Sequence, residues 1–338
     1  MTLKADLAPP DHGGNLGAAR QMFPAAPEPF LDLSTGINPY PYPLLTLPPD
    51  AFTRLPDPAG LAKLTATAAG AYRAPSPAHV VAASGTQILV ALTAFLLARG
   101  RASILAPTYA EHARAAELAG HNVVEVADVT QLAESRIAIV VNPNNPDGRV
   151  VAKDALLALA ERLRRRGGLL LVDEAFMDVG PYGVSLADQV GRGNIVVLRS
   201  FGKFYGLPGL RLSFAIAPPE IATRIATGVG PWPVGGAALD VGAAALADMA
   251  WREKTRGTLA EAAARLDGLL AKSGLEIVGG TSLFRLVRTK DAAQLFQRLG
   301  EAGILVRRFA EHPAWLRFGL PDGEAAWQRL AAALTSRS

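Results

Sequence analysis

The sequence predicts an α/β protein built on a mostly parallel seven-stranded sheet, followed by a smaller α+β domain. Three observations carry that reading. Short apolar, β-branched runs bounded by turn residues recur through the first two thirds of the chain, as buried strands require. Helical patterns lie between several of those runs, which is the alternation of an α/β domain. Beyond a stretch dense in proline and glycine, an alanine-rich helical segment and a few strand-like runs replace the earlier pattern.

Taken in order, residues 1–45 are rich in proline and glycine and make a poor domain alone, so they are expected to form an arm on the small domain or on a second subunit. Residues 46–235 are expected to form the large domain, with strands at Val80–Ser84, Ile104–Pro107, Val123–Val126, Ile137–Val141, Leu169–Asp173, Ile195–Ser200 and Leu212–Ala217. The clearest helix lies in AKDALLALAERLRRR, where Leu156, Leu159, Ala160 and Leu163 recur at the spacing of one helix face. The basic run Arg162 to Gly168 that ends it reads as a solvated last turn, where cations suit the negative end of the helix dipole. Pro218 to Gly236 reads as a domain junction, and Ala237 to Lys272 as one long connecting helix. Residues 236–338 would form the small domain, with strands at Leu283–Arg288, Ile304–Arg308 and Leu316–Leu320.

Composition narrows the function. With 338 residues, 50% hydrophobic and 19% charged, the chain has material for a sizeable core and is neither collagen-like nor disordered. The net charge of +4 is small and its basic residues are scattered, so no nucleic-acid partner is expected. The absence of cysteine excludes disulfides and thiolate metal sites, and the 5 histidines show no paired ligand spacing, so no metal is expected. The longest apolar run, Ile88 to Ala98, is too short to span a bilayer, and the first residues lack a segment of secretory-signal length. A soluble chain in a reducing cytoplasm, without membrane partners, is the expectation.

Among the few lysines, Lys203 stands out in RSFGKFYGLPGLRLSF, flanked by Gly202, Gly206 and Gly209 after an expected buried strand. A lysine among apolar neighbours loses hydration of its ammonium form, and its free amine becomes available for Schiff-base chemistry. Asp173 and Glu174 end another strand, at the edge where open α/β sheets bind ligands. NPNNPDG at Asn142 to Gly148 is a strong turn former whose amides can donate to a ligand oxygen. In SGTQ at Ser84 to Gln87, a strand passes into a helix whose first N–H groups and Thr86 hydroxyl suit a phosphate.

In this order SGTQ, PTYAEH, NPNNPDG, DEAF and SFGKFYGLPGLR resemble the fold-type I pyridoxal-phosphate enzymes, the aminotransferase superfamily, over nearly the whole chain. The resemblance implies pyridoxal 5'-phosphate as cofactor, with Lys203, Asp173 and Tyr109 as catalytic residues. Lys203 would carry the cofactor's aldehyde carbon, Asp173 would pair with the pyridine nitrogen, and Tyr109 would stack on the ring. Asn145 would bond the phenolic oxygen, Gly85, Thr86, Ser200 and Arg211 would hold the phosphate, and Gln87 joins the cofactor-binding set. A homodimer is implied as well.

Within the superfamily, DHGGNLGAA at Asp11 to Ala19 and LDLSTGINPYPYP at Leu31 to Pro43 resemble the N-terminal signature of the threonine-phosphate decarboxylases of cobalamin biosynthesis. NPNNPDGR points the same way, as does Phe176, where the related histidinol-phosphate aminotransferases carry tyrosine. The resemblance then implies loss of CO2 from L-threonine O-3-phosphate, giving (R)-1-amino-2-propanol O-2-phosphate. Arg317 is the candidate for the substrate carboxylate, Arg307 and His12 for its phosphate, and Asn145 joins the substrate set. Leu55 departs from the related enzymes, which carry a tyrosine there that reaches the neighbouring subunit's cofactor phosphate. Two other readings stay open: a histidinol-phosphate-type aminotransferase, and a non-catalytic subunit that uses the same fold to bind a partner.

Overall fold

The computed structural model describes residues 12–335; residues 1–11, with Asp11 of the N-terminal signature and the start of the expected arm, and residues 336–338 lie outside them. Along the described residues the strands are β1 (Leu31–Leu33), β2 (Val80–Ala83), β3 (Arg101–Leu105), β4 (Asn122–Val126), β5 (Ile137–Val141), β6 (Leu169–Asp173), β7 (Ile195–Ser200), β8 (Ser213–Ile216), β9 (Glu276–Thr281), β10 (Phe284–Arg288), β11 (Ile304–Arg308) and β12 (Trp315–Gly319). They form two sheets. The chain divides into two compact units, one of residues 42–145 and 150–251, the other of residues 12–41, 146–149 and 252–335.

The first unit holds a seven-stranded sheet in the order β2-β8-β7-β6-β5-β3-β4. The seven strands are the seven expected from the apolar runs. All pair in parallel except β8, which is antiparallel to both β2 and β7. Every residue of β2, β5, β6 and β8 is buried, as a sheet covered on both faces demands. Helix Lys153–Arg164 covers it with the expected stripe of Leu156, Leu159, Ala160 and Leu163, and its last turn carries Arg162 and Arg164.

The single connecting helix expected over Ala237 to Lys272 is instead two helices, Gly236–Ala247 and Met249–Lys272. Asp248 breaks it. Its backbone leaves the helical region at ψ 82°, and its carboxylate accepts the N–H of Trp251 at 2.9 Å, an N-cap contact that competes with helix continuation. The first of the two helices is buried on most sides and packs on helix Pro58–Tyr72. An alanine-rich segment hides such a break because strong helix formers flank it on both sides.

The second unit holds a five-stranded sheet in the order β1-β11-β12-β10-β9. β1 and β9 were not expected, being a three-residue strand and a run containing two glycines. β1 joins in parallel beside β11, so β11 lies inside the sheet rather than at its edge. Strand β9 carries Gly279 and Gly280, and the turn of residues 146–149 packs backbone to backbone against them: a Cβ on Gly148, at φ 71°, would collide with the Gly280 carbonyl. No described helix is long and apolar enough to cross a membrane.

Both the positive φ and the close approach make Gly148 hard to replace. Gly148→Ala is expected to destabilise the protein by about 1–3 kcal/mol, read as a lower urea midpoint at unchanged m-value; an unchanged midpoint would show that the turn yields freely.

Candidate active site

The strand order of the first unit brings the expected residues to one edge of the sheet. Strands β2, β7, β6, β5 and β3 end there, and Gly85, Ser200, Asp173, Asn145 and Tyr109 stand at or just beyond those ends. Because β8 runs the other way, Arg211, two residues before its start, reaches the same edge; Ser213 pairs with both Ala83 and Ser200. This is the edge at which open α/β sheets bind ligands.

Asp173 closes a strand with no other polar residue and is buried. Its Oδ2 meets His112 Nε2 at 2.9 Å, and its Oδ1 accepts the Ala175 N–H at 3.0 Å. Burial pushes this carboxyl up, but the His112 hydrogen bond, the charges of His112 and Lys203, and the Ala175 N–H outweigh it and hold Asp173 below the ordinary range. His112 was missed by the sequence reading. It stands three residues after Tyr109 in PTYAEH, where a turn closed by the His112 N–H on the Tyr109 carbonyl at 3.2 Å leads into helix Glu111–Leu118 and leaves the ring centroids 6.0 Å apart.

Lys203 sits in the one-turn helix Phe201–Phe204, half-buried. The flanking residues explain its fixed position. Phe201 stacks on Tyr205 at 4.2 Å, Tyr205 stacks on Trp251 at 5.5 Å, and Phe204 meets Trp251 edge-on at 5.6 Å, so the turn is pinned by an aromatic cluster. Gly202 is required there, since a Cβ would lie 2.8 Å from the Pro208 Cα. The Lys203 Nζ lies 5.0 Å from the centre of the Phe176 ring.

Helix Thr86–Ala94 starts directly after β2, with Gly85 as its N-cap at φ 94°. A Cβ on Gly85 would collide with the Arg211 guanidinium, which therefore lies against the first turn of the helix. A cationic side chain beside a helix N-terminus has the chemistry a phosphate needs. Gln87 points elsewhere. Its Nε2 donates to buried Glu111 at 2.6 Å, and its Oε1 accepts from the Tyr109 hydroxyl at 3.3 Å, so it links two side chains of the site.

Of the NPNNPDG amides, Asn142 spends its own on the Val151 backbone, and Asn144 donates to the Pro107 carbonyl at 2.9 Å and accepts from Thr108 at 2.6 Å. Both are buried, while Asn145 is half-buried. Behind Asp173 stands a second group that the sequence reading passed over. Arg199 on β7 donates to Glu174 at 2.9 Å and to Asp178 at 2.6 Å, all three side chains being buried. Burial alone would lower the Arg199 pKa, but Asp178 and Glu174 raise it. An arginine interrupting the apolar run IVVLRS was the available signal, because a buried charge demands a partner.

The second unit gathers the remaining candidates. Arg307 and Arg317 stand directly opposite each other on β11 and β12. Arg317 is 7% exposed; its Nη2 donates to the Ser34 carbonyl at 2.8 Å. Burial, then the charge of Arg307, pulls its pKa down to about 10, with Asp32 opposing. Gly14 N–H donates to Ser34 Oγ at 2.7 Å, and Gly13 packs so closely on Ser34 that a Cβ would collide with it. His12, itself exposed, is thus tethered next to the residue that holds Arg317. Two like charges in cross-strand register repel, so the pair favours an anion between or beside them.

The depressed Asp173 has a pH signature. A carboxylate whose folded pKa lies below its unfolded value adds stability above the unfolded pKa, near about 4, and that contribution is lost as pH falls through the lower folded value. Urea unfolding measured from neutral pH downward should show the loss below about pH 4 in the parent protein and a shallower loss in Asp173→Asn; parallel curves would mean the carboxylate is not held by His112.

Comparison with known proteins follows the same line. Residues 32–334 match the family profile described as aminotransferase class I and II. A threonine-phosphate decarboxylase from Sinorhizobium sp is 45% identical over 97% of this chain and 98% of its own, and one from Pseudomonas aeruginosa is 43% identical over 96% and 97%. The crystal structure of histidinol-phosphate aminotransferase from Sinorhizobium meliloti in complex with pyridoxal-5'-phosphate superposes with a TM-score of 0.79 over 98% of this chain and 97% of its own, at 20% identity, a likeness of fold. The chain belongs to the class I and II aminotransferase family, whose cofactor is pyridoxal 5'-phosphate.

Proposed function

We propose that this protein decarboxylates L-threonine O-3-phosphate to (R)-1-amino-2-propanol O-2-phosphate, the step that supplies the aminopropanol linker of cobalamin. The observation that carries the assignment is the opposed pair Arg307 and Arg317, a doubly cationic site suited to a substrate bearing both a carboxylate and a phosphate. The threonine-phosphate decarboxylases matched over nearly the full chain support the same reaction.

The residues present suit the cofactor. A buried carboxylate kept ionised by His112, a lysine whose charge that carboxylate feels, and a glycine with no room for a Cβ beneath an arginine at a helix N-terminus correspond to its ring nitrogen, aldehyde and phosphate. When bound, pyridoxal phosphate supplies an electron-accepting ring conjugated with the substrate's Cα. Asp173 holds a proton on the ring nitrogen, which that role requires, and Asn145 bonds the phenolic oxygen. Tyr109, steadied by Gln87 and through it by Glu111, packs on the ring. Gly85, Thr86, Ser200 and Arg211 bind the cofactor phosphate.

Arg317 grips the substrate carboxylate, and Arg307 with His12 takes its phosphate. Fixing both ends of the substrate would select which bond at Cα is broken, and for this reaction that is the bond to the carboxylate. Lys203, which would hold the cofactor's aldehyde carbon, is also the side chain placed to give a proton to Cα after CO2 has left. A homodimer in the cytoplasm completes the proposal. Its support is the commonness of two-fold dimers together with the exposed large apolar side chains of Leu44, Phe52, Leu55, Trp232 and Met249 in the first unit. Leu55, 68% exposed, offers no hydroxyl to a neighbouring phosphate.

Turnover with threonine phosphate, assayed for CO2 and for 2-oxoglutarate-dependent amino transfer in parallel, tests the assignment: CO2 release supports it, and transfer with histidinol phosphate without CO2 refutes it. Lys203→Ala is expected to lower decarboxylation by about a hundredfold or more and to remove the absorbance above about 400 nm. Arg317→Ala is expected to raise KM for threonine phosphate by about 10- to 100-fold with cofactor affinity unchanged. Equal losses of substrate and cofactor binding would place Arg317 elsewhere.

A further inference from the structure

We propose that Asp32 and Ser34 are positioning residues that fix the spacing between the two substrate anion sites, so that the protein selects an amino acid whose phosphate ester sits on the carbon next to Cα. The inference rests on the assignment above of Arg317 to the substrate carboxylate and of Arg307 with His12 to its phosphate. Ser34 is 1% exposed, and each of its polar groups is engaged. Its N–H and its hydroxyl both donate to Asp32 Oδ1, at 2.9 and 2.6 Å. Its Oγ accepts the Gly14 N–H at 2.7 Å, and its carbonyl accepts from Arg317 Nη2 at 2.8 Å. One residue therefore touches both the carboxylate arginine and the turn that carries His12.

The frame around Ser34 is stiff. It directly follows β1, whose three residues pair in parallel with β11, the strand of Arg307, and β11 pairs in turn with β12, the strand of Arg317. The turn cannot come closer to Ser34 or carry a larger residue, because a Cβ on Gly13 would collide with the Ser34 carbonyl. Charge alone does not explain Asp32. Its negative charge reaches Arg317, and a carboxylate there repels any anion that the arginine would bind. What Asp32 does supply is one oxygen that orients the Ser34 hydroxyl towards Gly14 while its carbonyl faces Arg317.

The consequence is selection by length. Two cationic receptors held at one separation are satisfied together only by a ligand whose two anions match it. A ligand with one more methylene between carboxylate and phosphate engages one receptor well and leaves the other contact poor. Loosening the link through Ser34 lets the receptors adjust, so the longer ligand gains relative to the shorter one.

Two measurements test this, the first without cofactor or substrate. In the cofactor-free full chain, hydrogen exchange at the Gly14 amide is followed by mass spectrometry. Ser34→Ala and Asp32→Ala should speed it by about threefold to tenfold. Asp32→Asn, whose side-chain oxygen still accepts both bonds, should stay within about twofold of the parent. In the loaded enzyme, the affinities for phosphoserine and for phosphohomoserine, which differ by that one methylene, are read from the change in cofactor absorbance. The parent should prefer phosphoserine by about tenfold or more. Both alanine variants should narrow that preference by about threefold to tenfold with cofactor affinity unchanged, and Asp32→Asn should keep it. An unchanged Gly14 exchange rate, a preference unchanged in the alanine variants or absent from the parent, or an equal loss for both ligands overturns the proposal. Should Asp32→Ala fail to fold, Ser34→Ala decides it. If the parent releases no CO2 from threonine phosphate, the assigned reaction falls, while the exchange rates and the affinity ratio, neither of which needs turnover, still decide what Asp32 and Ser34 do.

Discussion

Asp173 ends a strand that is otherwise wholly apolar and Glu174 follows it directly, and a buried carboxyl in that interior needs hydrogen-bond partners. Strand geometry points them to opposite faces, so each has a separate partner: His112 for Asp173, and Arg199 for Glu174. The first pair faces the chemistry. The second ties the end of β6 to β7 and, through Asp178, fixes the turn between them. Much of the site's order follows from satisfying these two charges.

The sheet supplies the rest by direction alone. Parallel strands end at a common edge, and the antiparallel β8 returns its leading residues to the same edge, so Arg211 meets Gly85 although they are far apart in sequence. An aromatic cluster around Trp251 then holds the lysine turn in place. Rigid backbone and stacked rings leave the Lys203 side chain as the part of that turn suited to change partners during a reaction.

In the second unit, the proposed anion site rests on two cations in register. Arg307 and Arg317 face each other across a strand pair, with Asp32 as the nearby counter-charge and the Ser34 carbonyl orienting one guanidinium. A bound carboxylate or phosphate relieves that repulsion, which gives such a ligand an advantage over a neutral one. The HGG turn is tied to Ser34 as well, and this is how a signature near the start of the described chain comes to lie beside residues near its end.

The amino-acid order by itself determined the α/β class, the seven strands of the large sheet, the helix stripe of Leu156 to Leu163 and the lysine turn, because each is written in local periodicity or in turn residues that permit one backbone path. It did not reveal β1, a short strand whose partner β11 is far along the chain, β9, whose two glycines mask a hairpin with β10, or the break at Asp248, where one side-chain cap interrupts an alanine-rich helical segment. His112 and Glu111 were silent, and Arg199 signalled only that it needed a partner, for a related reason: a polar residue declares its role only through what it is buried against. Only the folded chain decides which side chains share a low-dielectric interior, and there charge must find charge.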